Sequence, residues 1–155
     1  MNELVIAGGC FWGVEELFRT QPGVIDTEVG YTGGDNDTPT YEQHPGHAEA
    51  VKITYDPKKT TEATLLDYFF QIHDPTTMNR QGNDIGSSYR SAIFYANDEQ
   101  RQCAEDAVRR NQIYWKTPIV TQSEQLTKFW PAEAYHQDYL QKHPEGYTCH
   151  FERAR

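Results

Sequence analysis

The stretch LVIAGGCFWG at residues 4–13 decides the fold, because it joins an apolar run to a helical pattern through a glycine-flanked cysteine. The apolar run at its start predicts a buried strand. Beyond it, Val14, Leu17 and Phe18 recur at helical spacing, with charged side chains on the other face. We therefore expect Cys10 to lie in a strand-to-helix turn, at or near the N-terminus of the helix.

The position of Cys10 in this turn favours a reactive thiol. The first N–H groups of a helix are unpaired and the positive end of its dipole lies there, so a thiolate is stabilised. The alternative for any single cysteine is a free thiol that fills a small hole. Glycines at positions 8, 9 and 13 open the backbone around the thiol, and two large aromatic residues, Phe11 and Trp12, follow it. This pattern is typical of a nucleophile at the lip of an aromatic pocket.

The composition limits the classes of protein to consider. A chain of 155 residues is most simply one domain, and we expect residues 1–155 to form a single catalytic domain. The net charge of −9 and the lack of a basic stripe argue against nucleic acid or an anionic membrane as a partner. No apolar run approaches the roughly 20 residues that span a bilayer, so no membrane segment is predicted.

The cysteines and the first residues indicate a compartment. The three cysteines, Cys10, Cys103 and Cys149, are an odd number without zinc-type spacing. The segment Met1–Glu3 has no basic region followed by a long apolar core, so no signal peptide is predicted. We therefore expect a cytoplasmic protein that uses thiols for chemistry rather than as structural disulfides, and we expect it to be a monomer.

The rest of the chain alternates between periodic segments and two long irregular ones. Further strands are predicted at 24–31, 48–55, 91–95 and 119–121, and further helices at 61–73, 98–114 and 133–141. The segments 32–46 and 74–89 are rich in glycine, proline, asparagine and aspartate, which predicts loops. Loops of such length in a compact domain are usually functional or disordered, and the aromatic Tyr41 argues against disorder.

The order of these elements indicates the fold class. It is not a pure alternation of strand and helix, so a doubly wound parallel sheet is not predicted. We expect an α+β two-layer sandwich with a mixed β-sheet, a ferredoxin-like core, two long loops and an irregular C-terminal tail. The tail, residues 146–155, carries Cys149.

Taken singly, the polar residues outside the first turn are weak signals. Glu49 lies where the third strand begins, and a carboxylate at a strand end is usually solvated. Asp84 and Tyr89 lie in a segment whose composition is explained by turn chemistry alone.

Taken together, they are specific. A set of short blocks, in order along the chain, resembles the methionine sulfoxide reductase A family (peptide-methionine (S)-S-oxide reductases). The blocks are GGCFWG (8–13), GYTGG (30–34), PTY (39–41), GHAEAV (46–51), HDP (73–75), QGND (81–84), YRS (89–91), HQDYL (136–140) and GY (146–147). The resemblance implies repair of oxidised methionine, in proteins and also free, with preference for the S epimer of the sulfoxide.

The resemblance also implies a role for each matching residue. A sulfoxide sulfur is a poor electrophile until its oxygen is protonated or strongly hydrogen-bonded. Cys10 would be the nucleophile and Glu49 the acid, which near pH 7 requires a pKa raised by burial. The hydroxyls of Tyr41 and Tyr89 would bind the sulfoxide oxygen. An ionised Glu49 would oppose a thiolate on Cys10, so the thiolate is expected mainly once substrate is bound.

Further positions follow from the same resemblance. Phe11 and Trp12 would hold the S-methyl group, and Asp84 would position the site through hydrogen bonds. The product on Cys10 would be a sulfenic acid, which a second thiol resolves as a disulfide. Cys149, in the tail, would be that thiol, and the disulfide would be reduced by thioredoxin or by a dithiol such as DTT, with no bound cofactor.

One position departs from a common family pattern. Thr148 separates the Gly-Tyr pair from Cys149, and no cysteine follows within the chain, so no second relay disulfide is predicted. Cys103 is the other candidate resolving thiol, but it lies on the apolar side of a predicted helix, the ordinary place of an inert cysteine.

Three other interpretations remain at this point. A cysteine hydrolase or acyl transferase would pair Cys10 with His47 or His136. A peptide-binding module would use the aromatic residues and leave Cys10 dispensable. A metal site at His44 and His47 would need further spaced ligands, which the sequence lacks, so no metal is predicted.

Overall fold

The computed structural model describes all 155 residues, from Met1 to Arg155. Its strands are β1 (Asn2–Gly8), β2 (Val24–Thr32), β3 (Ala48–Tyr55), β4 (Arg80–Gln81), β5 (Asp84–Ile85), β6 (Ser91–Tyr95), β7 (Gln122–Gln125) and β8 (Trp130–Pro131). Its helices are α1 (Phe11–Arg19), α2 (Glu62–Ile72), α3 (Asp98–Asn111) and α4 (Tyr139–Lys142). Short 3₁₀ turns lie at Ser87–Tyr89, Gln112–Tyr114 and Ala134–His136. No helix is long and apolar enough to cross a bilayer.

The main sheet confirms the predicted fold class. Its six strands lie in the order β7-β6-β1-β3-β2-β8. The central four, β6-β1-β3-β2, are antiparallel and are connected as strand-helix-strand-strand-helix-strand, the ferredoxin-like arrangement. The strand β7 adds to β6 in parallel after the crossover helix α3, which makes the sheet mixed.

The core follows from the alternation of side chains along β1. Leu4 and Ile6 face a large cluster of buried residues that α1, α2 and α3 complete from one side. Val5 and Ala7 point to the other face, into a smaller cluster against which Leu126 and Phe129 pack. Because both faces are covered, β1 is apolar at every position from Leu4 to Ala7, and it holds the turn that follows in a fixed place.

One predicted strand has the wrong bounds, and three short strands are missing from the prediction. The strand predicted at 119–121 begins only at Gln122, because the backbone N–H groups of Ile119 and Val120 donate to Gln112 and to the carbonyl of Pro75 instead of to a strand. In addition, the two-residue strands β4, β5 and β8 were not predicted, since so few residues carry no periodicity.

The helix predicted at 133–141 is broken into a 3₁₀ turn and the short α4. Gln137 is extended, and its amide group exchanges hydrogen bonds of 2.9 and 2.8 Å with the backbone N–H and carbonyl of Val29. Asp138 then takes the left-handed conformation with φ of 56°. A side chain that pairs with β2 like a strand therefore interrupts the helical pattern.

Candidate active site

Cys10 occupies the N-cap position of α1, as the sequence predicts. Gly9, directly before it, has φ of 99°, a backbone conformation that side-chain-bearing residues rarely adopt. Cys10 is only 7% exposed. Burial raises the pKa of the Cys10 thiol well above its ordinary range, and the neighbouring Glu49 raises it further. The backbone N–H of Trp12 lowers this pKa, but by a smaller amount. At rest, Cys10 is therefore a thiol rather than a thiolate, since burial outweighs the helix N-terminus.

Glu49 lies in β3, opposite Tyr31 of β2, with its carboxyl group turned towards the start of α1. It is 1% exposed, and Oε1 accepts a hydrogen bond of 3.2 Å from the backbone N–H of Phe11. Burial raises the pKa of Glu49 to about 8, although the Phe11 N–H lowers it and the charge of Asp84 adds to the increase. A carboxyl group with this pKa holds its proton at neutral pH, as a general acid must.

Tyr41 and Tyr89 come from the two irregular segments that the sequence predicts as loops. Burial and the charge of Glu49 raise the pKa of both hydroxyls, and Cys10 and Asp84 contribute to the increase at both. A hydrogen bond with Tyr89 partly offsets the increase at Tyr41. Cys10, Glu49, Asp84, Tyr41 and Tyr89 therefore lie in one site. Because their pKa values are raised, both tyrosine hydroxyls remain protonated hydrogen-bond donors.

A cluster of aromatic rings, called the apolar wall below, lies beside the thiol of Cys10. Trp12 stacks on Tyr139 with ring centroids 3.8 Å apart and an interplanar angle of 10°. It lies parallel to Tyr41 at 6.5 Å, and Phe11 lies 6.5 Å from the same ring. His136 packs against Phe11 and Tyr41 at 5.3 and 4.5 Å. These rings form an apolar surface of the kind that holds a methyl group.

Two residues hold this wall in place: Glu133, to which the sequence assigns no role, and His136, which the sequence assigns only to the hydrolase alternative. Glu133 accepts a hydrogen bond of 3.0 Å from the backbone N–H of Tyr41 and one of 2.8 Å from the hydroxyl of Tyr31. His136 accepts a hydrogen bond of 3.0 Å from Nε1 of Trp12 at its Nδ1 atom. No local pattern marks Glu133, because both partners lie far away in the sequence. His136 stands in a block that matches the family.

The histidines of the long loop are occupied by structural hydrogen bonds. His47 accepts from the N–H of Gly34 and donates to the carbonyl of Asn36. His44 donates to the carbonyl of Thr40 and accepts from the hydroxyl of Ser88, which ties the two irregular segments together. Neither His47 nor His136 hydrogen-bonds to Cys10, so the Cys–His pair of a hydrolase is not formed.

No group of three histidine, cysteine, aspartate or glutamate side chains is arranged to hold a metal ion. This includes His44 and His47, the pair that a metal-site interpretation would use. Their ring nitrogens make the hydrogen bonds just described.

The tail folds over the glycines that surround Cys10. His150 donates a hydrogen bond of 2.6 Å to the carbonyl of Gly8, and a side chain at Gly13 would collide with His150. A Cβ atom at Gly82, in the turn between β4 and β5, would lie 3.4 Å from Cβ of Cys149. Cys149 is therefore half-buried beside the site, close enough that its charge raises the pKa of Cys10.

The tail also touches Asp84, the residue expected to position the site. The hydroxyl of Tyr147 donates a hydrogen bond of 3.3 Å to Oδ2 of Asp84. This carboxylate and the charge of Cys149 contribute, after burial, to a pKa of Tyr147 raised to about 12. Asp84 thus links the short hairpin β4-β5 to the segment that carries Cys149.

Cys103 lies apart from this site, on α3. It packs against the main core, and burial together with the neighbouring Glu62 raises its pKa to about 11. All three cysteines are free in this structure. The geometry places Cys149, and not Cys103, beside Cys10.

Comparison with known proteins identifies the family. A family model described as "Peptide methionine sulfoxide reductase" matches residues 2–155. A peptide methionine sulfoxide reductase MsrA from Nocardia farcinica is 60% identical over 151 residues, which cover 96% of this chain and 89% of that one.

Solved structures agree with this match. Mxr1 from Saccharomyces cerevisiae in reduced form is similar to this chain with a TM-score of 0.94 at 36% identity, covering 99% of this chain and 92% of that one. Mxr1 in complex with Trx2 is similar with a TM-score of 0.70 at 28% identity, covering 99% and 90%. The chain therefore belongs to the methionine sulfoxide reductase A family and is an oxidoreductase that acts on methionine sulfoxide.

Proposed function

We propose that this enzyme reduces the S epimer of methionine sulfoxide, in proteins and as the free amino acid, and so repairs oxidised proteins. The observation that carries the proposal is the position of Glu49. Its buried carboxyl group has a pKa raised to about 8 and lies beside Cys10, so an acid and a nucleophile share one site. The preference for the S epimer follows from family membership alone.

The first step joins these two groups. The sulfoxide oxygen accepts hydrogen bonds from the hydroxyls of Tyr41 and Tyr89 and a proton from Glu49, which makes the sulfur electrophilic. The sulfur of Cys10 attacks as its own proton passes to the Glu49 carboxylate. This attack forms an S–S bond between Cys10 and the substrate sulfur. The hydroxyl group then passes from the substrate sulfur to the sulfur of Cys10 as the S–O and S–S bonds to the substrate sulfur break, so methionine leaves and Cys10 is a sulfenic acid.

The apolar wall supplies the orientation. Phe11 and Trp12 hold the S-methyl group, because they flank the thiol and present ring faces towards Tyr41. Asp84 holds the arrangement from the other side through its hydrogen bond with Tyr147. Once the substrate is bound and Glu49 protonates its oxygen, the positive charge on the substrate sulfur favours the thiolate of Cys10.

The second step regenerates the enzyme. Cys149 condenses with the sulfenic acid to form a Cys10–Cys149 disulfide, and thioredoxin, or a dithiol such as DTT, reduces it. The complex of the relative Mxr1 with Trx2 supports a protein reductant of this kind. We propose the cytoplasm as the compartment, where thioredoxin is kept reduced, and a monomeric catalytic unit formed by residues 1–155.

A single-turnover measurement tests this function. The reduced enzyme is mixed with the separate S and R epimers of a methionine sulfoxide peptide, without reductant, and released methionine and lost thiols are counted over time. We expect about one methionine and two lost thiols per enzyme with the S epimer only. Loss of thiols without methionine release, or equal use of both epimers, would contradict the proposal.

A further inference from the structure

The hydrogen bonds of His150 determine which of its ring nitrogens carries the proton. Nε2 lies 2.6 Å from the carbonyl oxygen of Gly8, which can only accept a hydrogen bond, so Nε2 is protonated. In the neutral ring, Nδ1 is then left with a free lone pair. His150 is 6% exposed, so water does not compete freely for this atom.

The lone pair of Nδ1 faces a thiol. The Sγ atom of Cys149 lies 3.9 Å from Nδ1 of His150, within hydrogen-bond distance for sulfur. The hydroxyl of Thr148 accepts a hydrogen bond of 3.1 Å from the backbone N–H of His150, which holds the turn between the two residues. The inserted Thr148, unexplained from the sequence, therefore helps to orient the pair.

The imidazole ring of His150 packs against the turn that holds Cys10. A Cβ atom at Gly13 would collide with Nδ1 of His150 and with the hydroxyl of Thr148, and one at Gly9 would lie 3.2 Å from Nε2. The two glycines that flank Cys10 thus leave room for the ring of His150. The ring links the nucleophile's turn to the thiol that the sequence indicates as resolving.

We propose that His150 is the general base that deprotonates Cys149 when the disulfide forms. This inference rests on the proposed function, because it assigns a role within the second step. Nδ1 takes the proton from Sγ of Cys149, and the sulfur attacks the sulfur of the Cys10 sulfenic acid. The S–S bond forms and the S–OH bond breaks. The leaving hydroxide takes the proton of Glu49 and departs as water.

The charges in this step balance. The sulfur of Cys149 is oxidised by the same amount as the sulfur of Cys10 is reduced, so no outside oxidant is needed. One proton moves to His150 and one leaves Glu49, and exchange with solvent restores both groups. The reductant enters only afterwards, when it opens the disulfide.

The groups around His150 keep its Nδ1 atom unprotonated over a wide pH range. The groups that face it are the thiol of Cys149, the guanidinium of Arg153 and the buried ring of His73. Burial lowers the pKa of His150 to about 4 and Arg153 lowers it further, whereas the hydrogen bond to Gly8 raises it. Nδ1 is therefore unprotonated from about pH 5 upwards, although it is a weaker base than an ordinary histidine.

The test separates the two steps. His150→Gln keeps an N–H that can donate to Gly8 but removes the ring nitrogen that faces Cys149. His143→Gln, an exposed histidine directly after α4, is the matched control. Rapid mixing with sulfoxide peptide, without reductant, measures methionine release first and disulfide formation second. We expect disulfide formation in His150→Gln to be about 10 to 10²-fold slower at pH 7, with methionine release close to wild type.

The pH dependence distinguishes a base from a structural residue. With an internal base the rate of disulfide formation is flat between about pH 5 and 8, whereas without one it rises about tenfold per pH unit with the thiolate of Cys149. In a second variant, His150→Gly, added imidazole restores the rate if only the base is missing. Wild-type disulfide formation in His150→Gln, or slow formation in both variants that imidazole does not restore, would overturn the inference.

The proposed function and this inference fail differently. If the wild-type enzyme releases no methionine, the reductase mechanism itself is wrong. If methionine is released and disulfide formation is indifferent to His150, only the role of His150 is wrong.

Discussion

The backbone N–H of Phe11 donates a hydrogen bond of 3.2 Å to Oε1 of Glu49. Since Phe11 directly follows Cys10, this bond ties the carboxyl group in β3 to the first residue of α1, whose N-cap is Cys10. The bond lowers the pKa of Glu49, but burial outweighs it. The fold thus places a protonated carboxyl group beside a protonated thiol, and the chemistry begins from two neutral groups.

The first prediction concerns this carboxyl group as an acid. Glu49→Gln keeps an oxygen that can accept from Phe11 but has no proton to give to the sulfoxide. We expect the reductive step to be slower by roughly 10²–10⁴ while substrate binding is retained. Single-turnover methionine release measures this step, and Glu145→Gln, at an exposed position between α4 and the tail, is the control. An undiminished rate in Glu49→Gln would remove Glu49 from the mechanism.

The same step should depend on pH. The pKa of Glu49 is about 8, so the protonated fraction falls as the pH rises through that value. We expect the wild-type single-turnover rate to decrease above about pH 8, and this decrease to be absent in Glu49→Gln. An identical pH profile in the two proteins would assign the ionisation to another group.

The second prediction concerns stability. The folded protein raises the pKa of Glu49 above its ordinary value of 4.5, so the folded state binds this proton more tightly than the unfolded state. The stabilisation is therefore complete below about pH 4.5 and is lost as the pH rises to about 8. We expect Glu49→Gln to gain up to roughly 3 kcal/mol relative to wild type between pH 4 and pH 7. Urea unfolding across this range measures the difference, and a constant difference would contradict the expectation.

The third prediction concerns the two hydroxyl donors. Tyr41→Phe and Tyr89→Phe each keep the ring and remove one donor to the sulfoxide oxygen. We expect the remaining hydroxyl to compensate in part, so that each single variant loses roughly tenfold and the double variant roughly 10²–10³ in the reductive rate. Tyr114→Phe, on the exposed side of the molecule, is the control. Full activity in the double variant would show that neither hydroxyl binds the oxygen.

The parts of this site that are local in sequence could be predicted from the sequence. The turn around Cys10 follows from an apolar run, glycines and helical spacing, all within residues 4–18. The burial of Glu49 could not be predicted in this way, because a residue at a strand end is buried only if distant segments, here the loops and α1, pack over it. Its position in a block matching the family supplied the prediction instead.

The parts that depend on distant contacts could not be predicted. Glu133 binds Tyr31 and Tyr41 across the fold, and nothing beside it in the sequence indicates either partner. The same holds for Gln137, which pairs with Val29 and breaks the helix that the apolar spacing predicts. Periodicity describes which face of an element is apolar, but it does not describe which backbone groups a side chain will reach.

The fourth prediction concerns metals. The proposed mechanism uses only side-chain groups, and His44 and His47 are engaged in hydrogen bonds within the loop and to Ser88. We expect full activity after exhaustive chelation, measured with DTT as reductant. Loss of activity that zinc or another divalent ion restores would contradict a metal-free mechanism and would direct attention to His44 and His47.

The last prediction concerns the resolving thiol. Cys149 lies in an irregular tail beside the site, whereas Cys103 is held in α3 beside Glu62. A disulfide requires Cα atoms within about 7 Å, so Cys103 could reach Cys10 only if α3 moved as a whole or unwound. We expect Cys149→Ser to release one methionine per enzyme, to retain the sulfenic acid on Cys10, and then to fail to turn over with thioredoxin.

Two further variants serve as controls for the assignment of Cys149 as the resolving thiol. Cys103→Ser should cycle like wild type, because its thiol takes no part in the reaction, and Cys10→Ser should release no methionine. A pre-steady-state assay counts methionine and free thiols for each variant, and trapping with dimedone identifies the sulfenic acid. If Cys149→Ser turns over normally with thioredoxin while Cys103→Ser stops after one equivalent, then the thiol of α3, and not that of the tail, resolves the sulfenic acid.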